Sequence, residues 1–392
     1  MSPRVASRFA RIEESATYAV LDLVRRLRAQ GASIVDLGGG EPDFDTPAHV
    51  VDEGVGALRG GETHYAPSRG IPELLAAIAE KLAKDNGIDV EPGTGVVVTP
   101  SAKHALFAAL VTILDPGDEL LLPTPSWVSY AAMAALADAR PVRVELSAAD
   151  GFRISREVLE RHVTERTKAI VVNTPNNPTG SVLTAAEAAV VAEFATAHDL
   201  FVVTDEIYEK IVYDGHRHVS IAALDGCAER TLTVNGFSKA YAMTGWRLGY
   251  VAGDPAVIGH VLKTVQHTVG CAATFAQRAA VTALAGPQDE VDAMAAEYAA
   301  RRSLVVDGLN QLPGVRCSAP DGAFYAFADI RGTGLDSAGF TTWALTEAGV
   351  AVTPGSAFGP GGEGHVRLSF AASRETIEQA LERMSAALSR RG

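Results

Sequence analysis

The chain has 392 residues, 47% of them hydrophobic and 21% charged, which is the composition of a folded globular protein rather than a disordered or fibrous one. Its 47 acidic and 34 basic residues give a formal net charge of −13 at pH 7. This acidic balance argues against nucleic acid or an anionic membrane surface as the main partner, whereas small anionic ligands in a local basic pocket are still allowed.

Cysteine spacing and hydropathy narrow the class of protein further. Cys227, Cys271 and Cys317 are far apart and follow no CxxC or Cys/His spacing, so we predict free or buried thiols and no metal site. The N-terminus has no continuous apolar segment, and no stretch reaches the roughly 18 apolar residues that a membrane span requires. We therefore expect a cytoplasmic protein without a membrane-spanning segment.

Short apolar runs alternate with alanine-rich stretches of helical length between residues 95 and 253. The runs read GVVVT, ELLLP, AIVVN, LFVVT, TLTVN and LGYVAG. This alternation predicts an α/β fold, in which helices cover both faces of a mostly parallel sheet. The two ends of the chain have a different pattern, so we predict an N-terminal segment (1–45) that joins a small C-terminal domain (291–392), and a large domain between them (46–290).

Polar or aromatic residues follow five of these runs. In an open parallel sheet, ligands bind beyond the carboxyl ends of the strands, so these positions are candidate site residues. Taken singly, a tryptophan there is typical of a core, an aspartate of a turn or helix cap, and a lysine of the surface. Together they match the phosphate, ring, phenolic oxygen, ring nitrogen and aldehyde of pyridoxal 5′-phosphate. The residues are Ser101 and Ala102 at a helix start, Trp127, Asn177, Asp205 with Tyr208, and Lys239.

Five segments carry a resemblance to a known family. They are GGGEPDFDTP (38–47), PNNPTG (175–180), TDEIY (204–208), SKAYAMTGWRLGY (238–250) and HVRLSF (365–370). In this order they resemble the fold-type I pyridoxal-phosphate enzymes, specifically the bacterial aspartate aminotransferase-like branch of the class I and II aminotransferases. The resemblance covers essentially the whole chain. It implies a large cofactor-binding domain and a smaller α+β domain built from the two terminal segments.

The resemblance implies a role for each residue around the cofactor ring. Lys239 matches the lysine that forms a Schiff base with the cofactor and later moves the proton at the substrate Cα. Asp205 matches the carboxylate that keeps the ring nitrogen protonated. Tyr208 and Asn177 match the donors to the phenolic oxygen, and Trp127 matches the ring that stacks on the cofactor. Trp127 and Asn177 would also line the side of the site where substrate binds.

The resemblance also implies how the phosphate is held. The backbone amides of Ser101 and Ala102 would bind it at the helix start, with Ser238 and Arg247 as side-chain donors. Gly236 departs from part of the family, which has a phosphate-binding serine there. Tyr65 matches a tyrosine that reaches the phosphate from the neighbouring subunit, which implies a homodimer.

For the substrate, Arg367 matches the arginine that binds the α-carboxylate, with help from the backbone of Gly40. This implies an L-amino acid and a 2-oxo acid. Thr17 and Lys103 match residues that contact a second carboxylate in some bacterial aspartate aminotransferases, which favours substrates of the aspartate or glutamate type. Alternatively, Thr17 is a helix cap and Lys103 a solvated helix residue.

We therefore predict a pyridoxal-phosphate-dependent aminotransferase that works by a ping-pong mechanism. The same scaffold also supports β- or γ-elimination, replacement, cyclisation and oxidative chemistry, and these reactions remain alternatives. A regulatory binding domain of the same fold would carry an added helix-turn-helix domain, for which the chain has no room. A nicotinamide-dependent dehydrogenase would need a GxGxxG between a strand and a helix, and LGGGEP does not have that context.

Overall fold

The computed structural model describes residues 5–12, 14 and 16–391, except the side chains of Ala16 and Thr17. Short strands occur from one end of the chain to the other. They are β1 (Val35–Asp36), β2 (Val96–Thr99), β3 (Glu119–Thr124), β4 (Arg140–Glu145), β5 (Thr167–Asn173), β6 (Phe201–Asp205), β7 (Thr231–Gly236), β8 (Gly249–Ala252), β9 (Tyr325–Asp329), β10 (Val350–Ala351), β11 (Thr353–Pro354) and β12 (His365–Ser369).

A seven-stranded sheet with the order β2-β8-β7-β6-β5-β3-β4 forms the centre of the molecule. Strand β8 runs antiparallel to both of its neighbours, and the other strands pair in parallel. The predicted mostly parallel α/β fold is confirmed. The antiparallel strand is the LGYVAG run, and its direction brings the segment that follows Lys239 back beside β2.

Except at the edge strand β4, which reads RPVRVE and is partly exposed, both faces of this sheet are buried, which explains why its other strands are mostly apolar in sequence. In β3, Leu120 and Leu122 pack into one hydrophobic cluster, whereas Leu121 packs into another on the opposite face. Helices alternate with the strands along the chain. They are α1 (Ala16–Ala29), α2 (Ala48–Arg59), α3 (Pro72–Lys81), α4 (Pro92–Gly95), α5 (Ala102–Ile113), α6 (Ser129–Leu136), α7 (Arg156–Glu160), α8 (Ala185–Ala197), α9 (Pro255–Thr268), α10 (Thr274–Ala285), α11 (Asp289–Asn310), α12 (Ser337–Trp343) and α13 (Arg374–Arg391).

Two small sheets lie outside the central one. An antiparallel sheet has the order β11-β12-β9, and β1 pairs in parallel with β10. This second pairing joins the N-terminal segment to the C-terminal part of the chain. The domain boundaries at residues 45 and 290 stay a prediction. Helix α13 buries Ile377 and Met384, whereas Leu381 is half-buried.

Two expectations from composition can be compared with the structure. Cys227, Cys271 and Cys317 are free thiols, and the first and last of them are buried. Across residues 5–12, 14 and 16–391, no helix combines the length and the apolar character that a bilayer crossing requires.

Candidate active site

The central sheet brings the predicted residues to one edge because its parallel strands end there together. Asn173 at the end of β5 lies beside Asp205 at the end of β6, and β7 ends next to them at Gly236. Lys239 follows three residues later. The strand order therefore gathers residues that are more than 60 positions apart in the chain.

Lys239 lies at the centre of this group. Its Nζ donates a hydrogen bond to the backbone oxygen of Gly40. Burial lowers the pKa of the Lys239 amine to about 8, and the positive charges of Arg367 and Arg247 act in the same direction, while Glu41 opposes them. Among the described residues, no carboxylate forms a salt bridge with this amine. An amine with a pKa near neutrality is available as a nucleophile or a base.

Asp205 is buried at the end of β6 and accepts hydrogen bonds from neutral donors only. The Tyr130 hydroxyl donates to Oδ2 at 2.7 Å, and the backbone N–H of Ile207 donates to Oδ1 at 3.3 Å. Burial raises the pKa of Asp205 to about 6, although the bond from Tyr130 acts to lower it. In the described part of the chain, no salt bridge neutralises this carboxylate. It is therefore suited to bind a cationic N–H group.

Tyr208 is buried three residues beyond Asp205, and its hydroxyl lies 2.8 Å from the hydroxyl of Tyr325. Burial raises the pKa of both phenols above their ordinary value, so both stay protonated at neutral pH. The Lys239 Nζ lies 6.0 Å from the centre of the Tyr208 ring and 5.7 Å from that of Phe324. The amine thus lies among aromatic rings, away from bulk water.

Arg367 on β12 is buried, and among the described residues it forms no salt bridge. Its Nη1 donates to Oδ1 of Asn177 at 2.9 Å, and its Nη2 donates to the backbone oxygen of Gly38 at 2.7 Å. The guanidinium carbon lies 4.5 Å from the Tyr325 ring centre and 5.1 Å from the Phe358 ring centre. Its Nε has no hydrogen-bond partner. A buried, oriented guanidinium with a free donor is a binding site for a carboxylate.

The start of α5 provides backbone donors at the same edge of the sheet. Ser101 precedes the helix with φ of 123°, and its Oγ accepts a hydrogen bond from the His104 N–H at 3.2 Å. Gly249 passes directly beneath this turn, since a Cβ there would lie 2.3 Å from the Ala102 nitrogen. The first N–H groups of a helix have no partner within it, so this turn is suited to bind an anion.

The other predicted phosphate ligands, Ser238, Arg247 and Tyr65, differ in their exposure. Ser238 is buried next to Lys239. Arg247 is exposed, has φ of 54°, and donates from Nη1 to the backbone oxygen of Thr244 at 2.6 Å. Tyr65 exposes 95% of its surface. Its predicted contact belongs to a second subunit and stays a prediction.

Lys103 lies on the first turn of α5 between two aromatic rings. Its Nζ lies 4.9 Å from the Trp127 ring centre and 5.1 Å from the Tyr18 ring centre. The Trp127 ring in turn packs edge-on against Tyr130, with 5.3 Å between centres. Tyr18 belongs to α1 and is largely exposed. The neighbouring Thr17 side chain, which the sequence also predicts at this place, lies outside the described ones.

A second group of charges lies next to Asp205 along the chain. We call it the paired cluster: Lys81, Glu206, Glu209 and His218. The Lys81 amine donates to Glu209, and Nε2 of His218 lies 2.8 Å from Oε2 of Glu206. Although burial opposes it, Lys81 holds the pKa of Glu209 below its usual value. The oxygens of both glutamates and a nitrogen of His218 lie within 4.8 Å of one another, yet Lys81 and His218 already supply the cations.

Several residues of the site could not be predicted from the sequence. Tyr130, Tyr325 and Phe358 contact predicted residues, but Tyr130 and Tyr325 lie in apolar stretches that are typical of a core, and Phe358 directly precedes a glycine-rich loop. The backbone of Gly38 carries no side-chain signal at all. Of these residues, only Tyr130 has a position in the sequence that indicates membership of the site. It lies on the helix that follows Trp127, and that helix starts at the functional edge of the sheet.

These features can be compared with what pyridoxal phosphate requires. The described residues offer an anion-binding turn at α5, a buried carboxylate without a cation, phenol and amide donors, and an amine with a lowered pKa. Among the described residues, each of these groups can still form a further hydrogen bond or ion pair with a bound molecule. The residues present therefore fit this cofactor.

The comparison with known proteins agrees with this chemistry. Residues 32–384 match the family model described as Aminotransferase class I and II. The chain is 49% identical over 385 residues to an aspartate aminotransferase of Musicola paradisiaca, covering 98% of this chain and 96% of that protein. It is 46% identical over 363 residues to aromatic-amino-acid aminotransferase 2 of Thermococcus litoralis, covering 92% and 93%.

A solved structure gives the same result. The aspartate aminotransferase from Thermus thermophilus with maleate has a TM-score of 0.94 and 42% identity, covering 98% of this chain and all of that one. These relatives favour amino transfer over the elimination, replacement, cyclisation or oxidative reactions that the sequence left open. The chain therefore belongs to the class I and II aminotransferases and uses pyridoxal phosphate as its cofactor.

Proposed function

We propose that this aminotransferase takes its amino group from an L-amino acid with a second carboxylate, aspartate or glutamate, and passes it to a 2-oxo acid. The observation that carries this choice is the position of Lys103. Its ammonium lies between the Tyr18 and Trp127 rings, and among the described residues it forms no salt bridge. A cation held at the edge of the site without an anion is available for the distal carboxylate of a substrate.

The α-carboxylate would bind at the other end of the substrate. Arg367 is buried, lacks an anion, and is held by Asn177 and the backbone oxygen of Gly38. Two cations that form no salt bridge among the described residues, Arg367 and Lys103, would match the two carboxylates of aspartate or glutamate. The Musicola paradisiaca and Thermus thermophilus relatives are named aspartate aminotransferases, which supports the same substrate class.

The side chains around Lys239 would divide the chemistry between them. When bound, pyridoxal phosphate supplies an aldehyde that takes up the amino group and a ring that holds the electron pair left on Cα. Lys239 would accept the Cα proton and return it, because its lowered pKa leaves part of the amine unprotonated near neutral pH. Asp205 would hold a proton on the ring nitrogen. Tyr208 and Asn177 would donate to the phenolic oxygen.

The phosphate would lie at the start of α5, on the N–H groups of Ser101 and Ala102, with Ser238 and Arg247 as further donors. The Arg247 side chain would have to leave the Thr244 oxygen for this contact. We also propose a cytoplasmic homodimer, in which the exposed Tyr65 completes the phosphate site of the partner subunit.

The test is the visible spectrum of the cofactor-loaded protein. L-Aspartate alone should convert the absorbance to that of the aminated cofactor, and 2-oxoglutarate should reverse it. Lys103→Met should raise KM for aspartate about tenfold or more, because a charge-assisted hydrogen bond is lost, and leave KM for alanine within about twofold. An unchanged KM for aspartate in Lys103→Met would overturn the proposed role of the second carboxylate.

One observation favours a second class of substrate. The two rings beside Lys103, Tyr18 and Trp127, could pack against an aromatic substrate side chain, and one relative is named an aromatic-amino-acid aminotransferase. Phenylalanine therefore belongs in the same substrate panel. If kcat/KM for phenylalanine exceeds that for aspartate, the aromatic class replaces the dicarboxylic one.

A further inference from the structure

Tyr325 contacts three residues to which the predicted site assigns separate tasks. Its hydroxyl lies 2.8 Å from the Tyr208 hydroxyl, and its ring centre lies 4.5 Å from the guanidinium carbon of Arg367. A Cβ on Gly40 would lie 2.7 Å from the same hydroxyl, so position 40 has no room for a side chain. Gly40 in turn accepts the hydrogen bond of Lys239. Tyr325 is 1% exposed.

The register of the small antiparallel sheet explains why this ring is fixed. Tyr325 on β9 pairs with Ser369 on β12, and Phe327 pairs with Arg367. Tyr325 and Arg367 are therefore diagonal neighbours on one face of the sheet, within reach of long side chains. From this position the Tyr325 hydroxyl reaches Tyr208, which follows β6 of the central sheet. One side chain thus connects the substrate end of the site to the cofactor end.

The direction of the hydrogen bond follows from counting protons. Two protonated phenols hold two protons, and their shared hydrogen bond uses one of them. Within the described residues, the Tyr325 hydroxyl has no other hydrogen-bond partner. If Tyr325 donates, its only proton is used, and the Tyr208 proton is free for a second acceptor. In the cofactor-loaded protein Tyr208 would have the phenolic oxygen as an acceptor, whereas the reverse direction would leave the buried Tyr325 proton without an acceptor among the described residues, which is unfavourable.

We propose that Tyr325 is a positioning residue with two separable parts. Its hydroxyl donates to Tyr208 and so directs the Tyr208 proton at the phenolic oxygen of the cofactor. Its ring lies against the Arg367 guanidinium and keeps it oriented for the substrate α-carboxylate. This inference rests on the proposed function, because Tyr208 and Arg367 receive their tasks there.

Three variants separate the two parts. Tyr325→Phe removes the hydroxyl and keeps the ring, whereas Tyr325→Leu removes both. Phe358→Leu is the matched control, because Phe358 lies against the same guanidinium, at 5.1 Å, and forms no hydrogen bond with Tyr208. The measurements on the cofactor-loaded proteins are the pH titration of the visible absorbance, KM for the amino acid, and thermal stability.

In Tyr325→Phe the midpoint of the absorbance titration should move upward by about half a pH unit to one unit. A weaker donor at Tyr208 leaves more negative charge on the phenolic oxygen, which then holds the proton on the Lys239 nitrogen more firmly. KM should stay within about twofold of the parent value. Tyr325→Leu should show the same shift together with a roughly tenfold higher KM, and Phe358→Leu a raised KM without a shift.

Two outcomes would overturn this inference. One is a titration midpoint in Tyr325→Phe equal to that of the parent protein, and the other is an equal rise of KM in Tyr325→Phe and Tyr325→Leu. A merely structural tyrosine would lower thermal stability in both variants without moving the midpoint. Failure of the proposed function is distinct, because the parent protein would then pass no amino group from aspartate to 2-oxoglutarate.

Discussion

Asp205 and Glu206 are consecutive buried carboxylates. Glu206 belongs to a group of side chains in which acids are paired with cations, whereas Asp205 has no cation partner among the described residues. Glu206 and Glu209 share the paired cluster with Lys81 and His218. Asp205 accepts hydrogen bonds from a phenol and a backbone N–H only, and its pKa is raised to about 6. The same contrast holds between the two lysines, since Lys81 binds Glu209 and Lys239 binds a backbone oxygen.

The difference teaches how to tell a functional charge from a structural one in this fold. A buried charge without a partner destabilises the folded state, so a protein that needs only stability neutralises it. We call the unneutralised residues Asp205, Lys239 and Arg367 the open cluster. Their missing partners are the groups that a cofactor and a substrate carry, namely a ring nitrogen, an aldehyde and a carboxylate.

The largest expected effect is in the open cluster. Lys239→Ala should lower amino transfer by about 10⁴-fold or more, because the nucleophile and base are lost together. Thermal stability of the cofactor-free variant should not fall, since the amine has no carboxylate partner to lose. Steady-state rates and melting temperatures check both statements. Amino transfer by Lys239→Ala within tenfold of the parent rate would contradict the catalytic role of Lys239.

The paired cluster should respond in the opposite way. Lys81→Met leaves Glu209 buried without its cation, and the free energy of unfolding should fall by about 3–5 kcal/mol. The folded fraction should keep its rate of amino transfer within about twofold. Denaturant unfolding and activity per folded protein measure the two quantities. Lys84→Met, three residues further along and exposed, is the control and should change neither.

Substituting the two adjacent carboxylates one at a time should give opposite results for activity and stability. Asp205→Asn keeps an acceptor for Tyr130 but removes the charge, so amino transfer should fall by about 100- to 1,000-fold while the fold stays intact. Glu206→Gln should lose stability and retain most of the activity of the folded protein. If the two variants lose activity equally, Asp205 has no special electrostatic task.

The pH dependence of stability sharpens the same contrast. The folded-state pKa of Asp205, about 6, lies above the ordinary value of 3.8, so the folded protein keeps this proton longer than the unfolded chain does. As pH rises from about 4 to 6, wild-type cofactor-free protein should therefore lose stability relative to Asp205→Asn. The difference should approach about 3 kcal/mol at neutral pH. Urea unfolding of both proteins at pH 4.5 and 7 measures it.

The sequence predicted the part of the site that follows strand ends. Asn177, Asp205, Tyr208 and Lys239 were found because each comes directly after an apolar run in a parallel sheet, whose topology makes such positions neighbours. Trp127 was found in the same way. The family motifs then gave each of these residues a task.

The remaining parts depend on contacts that no local pattern shows. Tyr325 lies in an alternating apolar strand, and only the register with β12 places it against Arg367. The paired cluster joins residues from positions 81 to 218, and although Glu206 and Glu209 lie in or directly after the TDEIY segment, no local pattern links them to Lys81 or His218. The predicted task of Tyr65 needs a second subunit, so neither this chain nor its sequence alone can provide that contact.

The central claim is that Lys239, which has no carboxylate partner among the described residues and lies beside Asp205 and Arg367, binds the cofactor covalently. It is tested most directly by reducing the cofactor-loaded protein with borohydride, digesting it, and locating the added mass by mass spectrometry. We predict that the mass of the cofactor lies on the peptide that carries Lys239 and is absent from the one that carries Lys81. A label on Lys81, or no label on Lys239 in protein that transfers amino groups, would contradict the account.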